Sequence, residues 1–207
     1  MPRKPLTKPR KQASQERSRV TVDALVEATA RILVKEGFDR ASTNRIAERA
    51  GVSVGSLYQY FPSKEALVAA VIERHRQEIM YTVRDTLAEI AELPLEEAVR
   101  KAVTAAVKAH RVDPKLHRVL AEQIPRTARL KKLDGLNRDA FALFMGYLEA
   151  HRNEFRKVDL RLAAFVCVTS IEAVTHTAVV HHSETFSDET FAALIDEATR
   201  LIVRYLK

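Results

Sequence analysis

The chain has 207 residues, 46% of them hydrophobic, enough to build a substantial core in one large or two small domains. Its formal net charge is +7 and sits at one end: residues 1–75 carry fourteen Lys or Arg against eight Asp or Glu, residues 76–207 twenty against nineteen. The single cysteine excludes an internal disulfide, no run approaches about eighteen uninterrupted apolar residues, and the opening MPRKPLTKPRKQ lacks the apolar core of a secretion signal, so a cytoplasmic chain without a membrane span is expected.

Residues 1–19 hold seven basic residues against Glu16, with Pro2, Pro5 and Pro9 disfavouring a helix. This is expected to be a disordered basic arm, able to follow a phosphate backbone or to serve only as a solubilising tail. From Val20 to Glu36, Val22, Leu25, Val26, Thr29, Ile32 and Leu33 recur at helical spacing, and Gly37 ends that helix. Thr43 is then expected to cap a helix whose inward face is Ile46, Ala47 and Ala50. Gly51 supplies the sharp exit and Val52 an apolar plug. Ser53 caps a second short helix with Leu57 turned inward and Val54, Gly55, Ser56 and Tyr58 left outside. Tyr60, Phe61 and Pro62 form a link, and Ser63 caps the next helix at Lys64. Two short helices across a glycine turn, the second with a free outer face, form the arrangement that sets a recognition helix in the major groove of DNA.

Further helices are expected from Lys64 to about Glu92, Glu96 to Ala109, Leu116 to Gln123, Arg126 to Glu149, Leu160 to Val180 and Asp188 to Leu206, with breaks at Leu93-Pro94-Leu95, Val112-Asp113-Pro114, Pro125 and the polar stretch Arg152–Arg156. No strand alternation competes. The fold class is all-α: an N-terminal three-helix domain with a helix-turn-helix over 20–66, and a larger helical domain over 67–207.

Residues 22–68 resemble the DNA-binding domain of the TetR family of bacterial transcriptional regulators. Ala28, Leu33, Gly37, Phe38, Thr43, Ile46, Ala47, Ala50, Gly51, Val52, Ser53, Gly55, Leu57, Tyr58, Tyr60, Phe61, Lys64, Leu67 and Val68 carry the resemblance. It implies a dimeric regulator, a repressor as is usual in this family, that binds a near-palindromic double-stranded operator and is released by a small apolar effector. The alternative is a constitutive DNA-binding protein whose C-terminal domain only dimerises. The resemblance places Val54, Gly55 and Ser56 near base edges, Ser53, Tyr58 and Tyr60 on phosphate or sugar, and Thr43, Asn44, Arg45 and Lys64 at helix starts facing the backbone. For Tyr58 and Tyr60 the alternative is packing between helices. The recognition helix has no arginine for a bidentate guanine contact, so discrimination would lean on apolar contacts, the arm and DNA shape.

The resemblance also implies a dimer interface from the last two helices, with Ala163, Ser170, Ile171, Ala178, Phe191, Leu194, Ile195 and Leu201 as its expected residues. An effector pocket among the central helices would be lined by Phe141, Phe144, Met145, Tyr147, Phe165 and Val168, with Glu172 and His176, and also Arg118, Glu122 and His151, as candidate polar fixtures. These residues equally suit plain core packing. His176, His181 and His182 lack metal-ligand spacing, and His181 and His182 are expected in a surface loop. No metal and no cofactor is expected. With five glycines there is no phosphate-binding loop, and no serine, histidine and carboxylate grouping argues for a triad, so no enzyme is expected.

Overall fold

The computed structural model describes residues 16–124, 133–182 and 184–207. The expected basic arm lies outside them except for its last four residues, which are already helical. In chain order the helices are α1 (Glu16–Glu36), α2 (Thr43–Ala50), α3 (Val54–Tyr60), α4 (Lys64–Ala88), α5 (Leu95–His110), α6 (Pro114–Glu122), α7 (Leu133–Ala150), α8 (Leu160–His182) and α9 (Asp188–Leu206). Short 3-10 turns follow α4 at Glu89–Glu92 and α7 at Arg152–Glu154. The expected start of α7 at Arg126 falls in 125–132, outside the described residues. His181 and His182 are not in a loop: α8 runs on through them.

The chain forms two compact units that do not follow its order. The first contains the residues up to Arg76 together with the segment from Lys115, and the second contains Gln77–Pro114 and the chain from Asp134 onward. In the first unit, Leu25 and Leu33 of α1, Ile46 and Ala47 of α2, Leu57 of α3, Phe61, and Leu67, Val68 and Val71 of α4 share one core. Leu116, Val119 and Leu120 of α6 complete it, with Ile124. Each such buried aliphatic or aromatic side chain contributes roughly 1.5–3 kcal/mol. Helices of eight and seven residues are too short to persist alone, so α2 and α3 exist because this core holds them. Polar ties reinforce the packing. Arg31, by a 2.8 Å hydrogen bond, and then Arg74 hold the Glu27 carboxyl below its ordinary pKa. His75 of α4 and His117 of α6 meet at 3.2 Å.

In the second unit α5 packs against both α8 and α9. Small residues permit the close approach: Ala98 on α5, Ala163, Ala164 and Cys167 on α8 and Ala198 on α9 are all buried in the shared core. Burial alone pushes the Cys167 thiol up to about 12, so it behaves as a small hydrophobe. α8 has the length and hydropathy of a membrane span, the only such helix among the described residues. With 44% of that window buried inside the protein, its apolar character is that of a core helix. The far end of the unit is pinned by polar contacts. Tyr147 donates to the Leu93 carbonyl at 2.8 Å, and Arg156 Nε donates to the Tyr205 carbonyl at 2.6 Å, satisfying an otherwise orphaned group at the end of α9. His151 stacks on Tyr147 with ring centroids 4.4 Å apart and sets its two nitrogens against Glu154 (2.9 Å) and the Ala91 carbonyl (3.2 Å).

Two acceptors facing one imidazole favour the charged ring, and Glu154, then the Ala91 carbonyl, raise the His151 pKa above 6.5. A raised folded-state pKa means a stabilisation that is full below the unfolded value of about 6.5 and is lost as pH rises through the folded value. An NMR titration of the His151 ring should therefore give a pKa above 6.5 that falls back toward 6.5 in Glu154→Gln. An unshifted ring in the native protein would contradict this.

Candidate nucleic-acid interface

The α2–turn–α3 unit is specified locally at each joint. Ser42, not Thr43, is the N-cap of α2: it adopts extended backbone and its hydroxyl accepts from the Arg45 N–H. Thr43 is the first helical residue, which frees its own hydroxyl to meet the Tyr58 hydroxyl at 3.1 Å. Gly51 closes α2 in the left-handed region at φ +68, returning its N–H to the Ala47 and Glu48 carbonyls. Val52 packs against the core, and its N–H reaches the Ala47 carbonyl at 3.0 Å. Ser53 caps α3 by accepting from the Ser56 N–H at 3.1 Å, and the two serine hydroxyls lie 2.8 Å apart. Leu57 is fully buried, Phe61 ends the helix in extended backbone, and Ser63 caps α4 through the Ala66 N–H.

With Leu57 fixed inward, Val54, Gly55, Tyr58 and Gln59 face outward and Ser56 is half-buried. Gly55 is a helical residue whose added Cβ would have Ser53 Oγ as its nearest neighbour at 3.8 Å, so nothing in the protein demands a glycine there. Thr43 is half-buried and Asn44 exposed at the start of α2, joined to α3 by the Thr43–Tyr58 hydrogen bond. Three of the expected contact residues are engaged elsewhere. Tyr60 is 9% exposed and donates to Ser18 Oγ at 3.2 Å, because it follows Leu57 by three positions and shares its inward face. Lys64 lies over the Phe38 ring at 4.0 Å and donates to the Phe38 carbonyl. Arg45 pairs with Glu36 while half of its side chain stays exposed. Gln59 escaped the sequence reading. Its signal was its place four residues after Gly55, on the same outer face.

In the second unit, Phe144 and Tyr147 are buried and Phe141, Met145 and Val168 pack against the same core. Phe165 does not line an interior pocket, being 58% exposed on α8. Glu172 reaches His110, and His176 meets the edge of the same ring. A cavity of about 240 Å³ lies between α5 and α9, lined chiefly by Glu96, Arg100, Asp196, Thr199, Arg200 and Arg204, none of them an expected pocket residue. Of the expected interface residues, Ala163, Ile171, Ala178 and Phe191 are buried in the protomer's own core, because the inward faces of α8 and α9 are spent within the chain. Ser170, Leu194 and Ile195 are half-buried. Leu201 of α9 is 57% exposed, and on α8 Leu162 and Phe165 are the large outward apolar groups.

Residues 25–71 match the family model of bacterial regulatory proteins of the tetR family, and residues 94–206 match the tetracyclin repressor-like C-terminal domain. The chain belongs to the TetR family. It is accordingly a DNA-binding transcriptional regulator and not an enzyme. Among curated relatives, the nucleoid occlusion factor SlmA of Haemophilus ducreyi is 30% identical over 116 residues, 56% of this chain and 55% of that protein. The chain thus spans about half the length of that relative. Among solved structures, NalD, the secondary repressor of the MexAB-OprM multidrug efflux pump in Pseudomonas aeruginosa, superposes with a TM-score of 0.72 at 16% identity, covering 90% of this chain and 97% of that one. FadR from Bacillus subtilis, in complex with stearoyl-CoA, superposes with a TM-score of 0.66 at 18% identity, covering 89% and 99%. These last two likenesses show the shared TetR fold.

α3 leans on its cap. Ser53→Ala removes the acceptor for the Ser56 N–H and should cost about 1 kcal/mol in urea denaturation, while Asn44→Ala, with its exposed side chain, should cost well under half of that. Equal losses in the two variants would contradict the capping role.

Proposed function

We propose that this chain is a dimeric repressor that grips a near-palindromic operator through two copies of α3 and leaves it when a small apolar effector occupies the C-terminal unit. One observation carries the reading. A glycine costs up to about 1 kcal/mol relative to alanine inside a helix, and Gly55, in the first turn of α3, faces outward with only Ser53 Oγ near an added Cβ, at 3.8 Å, so the protein's own packing does not call for a glycine. Close approach by a partner justifies it. Val54 beside it suits a thymine methyl, and Gln59 offers the paired donor and acceptor that match adenine. Ser53, Thr43, Asn44 and Tyr58 supply hydroxyl and amide groups for phosphate and sugar, and half-exposed Ser56 sits beside the base-facing positions. Arg45 joins them by exchanging Glu36 for a phosphate. The excess of positive charge over residues 1–75 favours a phosphate partner.

The effector part rests on the apolar groups contributed by α7 and α8, and on two fold relatives: FadR with its bound stearoyl-CoA, and NalD, a repressor. In a dimer the half-sites lie about 35 Å apart or a multiple of that, and effector binding opposes operator binding by about 1–3 kcal/mol. The constitutive alternative shares the DNA contacts and lacks that coupling.

Duplexes selected from a random pool, with and without cell extract, test both parts by fluorescence anisotropy. Operator affinity should fall steeply with salt, and Gly55→Glu should lower it at least tenfold without lowering thermal stability. Absence of salt-sensitive duplex binding contradicts the proposal, and binding that no apolar compound releases favours the constitutive alternative.

The exposed apolar groups Leu162 and Phe165 of α8 and Leu201 of α9 are the surface left for a second copy. Phe165→Glu should convert a dimer to a monomer in sedimentation velocity at micromolar concentration. An unchanged dimer would place the interface elsewhere.

A further inference from the structure

The histidines of the second unit form a cluster that chain spacing alone does not reveal. His110 is the last residue of α5 and is 3% exposed. Its Nε2 lies 3.3 Å from Oε2 of Glu172 on α8. One turn along α8, His176 sets its ring against His110, with centroids 5.3 Å apart and planes at 79°. The ligand nitrogens of the two histidines lie within 4.8 Å of one another. Glu172 and His176 stand four residues apart, on one face of a helix.

We propose that His110, Glu172 and His176 hold a divalent transition-metal ion of the zinc class. Two imidazoles and one carboxylate are the donor set of open zinc sites. Zinc bonds to these donors at about 2.0–2.1 Å, which on a tetrahedral ion separates neighbouring ligand atoms by about 3.3 Å. The His110–Glu172 spacing already equals that value, and His176, four residues on from Glu172 and in ring contact with His110, offers the third donor. A carboxylate beside a buried imidazole is strongly disposed toward a cation. Oxygen-preferring magnesium gains nothing from the imidazoles, so the site discriminates against it. His181, whose ring lies 6.2 Å from that of His176, stands near enough to close the fourth position, which water otherwise takes. The site is independent of operator binding: a chain that ignored DNA would still take up zinc here.

The test is titration of the full-length protein with zinc chloride against a chromophoric chelator, with magnesium as a parallel arm and cobalt as a spectroscopic probe. The expected result is one zinc per protomer, no uptake of magnesium, and the visible bands of tetrahedral or five-coordinate cobalt. Glu172→Gln and His176→Gln, at half-buried positions that tolerate change better than His110, should each weaken zinc at least tenfold with circular dichroism unchanged. His182→Gln, whose ring stacks on Phe186, should leave zinc binding unaltered. Substoichiometric uptake, absent cobalt bands in the wild-type protein, or equal zinc affinity in Glu172→Gln, His176→Gln and wild type would overturn the assignment.

Discussion

A seven-residue helix cannot hold its own shape in water, and the surface proposed to read DNA is such a helix. Its position rests on one buried side chain. Leu57, with no exposed surface, ties α3 into a core built from α1, α2, α4 and α6. Once Leu57 points inward, the helical period fixes everything else: Tyr60 and Phe61 follow it into the core, and Val54, Gly55, Tyr58 and Gln59 are turned out. Ser53 and Gly51 set the two ends of the turn that precedes it. The chemistry offered to a partner is therefore a consequence of packing on the opposite face.

The second unit uses the same logic on a larger scale. α5 is its hub, contacted by both α8 and α9. Alanines and the single cysteine let the helices close in, so the most apolar faces of α8 and α9 are consumed inside the protomer. What remains outward is sparse and specific: Leu162, Phe165 and Leu201. On α8 and α9, a dimer of the kind proposed would use those groups and their half-buried neighbours.

Much of this was legible in the residues, for reasons that differ from place to place. Gly37 and Gly51 announced helix ends because only a positive φ lets the chain leave so sharply, and both have one. The amphipathic run Asp188–Leu206 announced a helix, and it is α9. Ser42 and Thr43 both carry a capping hydroxyl, so pattern alone did not choose between them. Tyr60 could have been placed inward from its three-residue spacing to Leu57. The inward stacking of Lys64 on Phe38 could not, since it depends on a contact distant in the chain. α8 is apolar around most of its circumference, and nothing local separates a core-facing stripe from a partner-facing one. The His110, Glu172 and His176 cluster was invisible for the same reason as Lys64: α5 and α8 meet only in the folded chain.

If α3 is the recognition helix, bound DNA must cover it. Amide hydrogen exchange of the full-length protein, with and without a bound duplex, measures this directly. Peptides spanning Ser53–Tyr60 and the start of α2 should gain protection when duplex is bound, and α9 should not. A duplex bound tightly while exchange in α3 stays unchanged would contradict the assignment of the recognition helix.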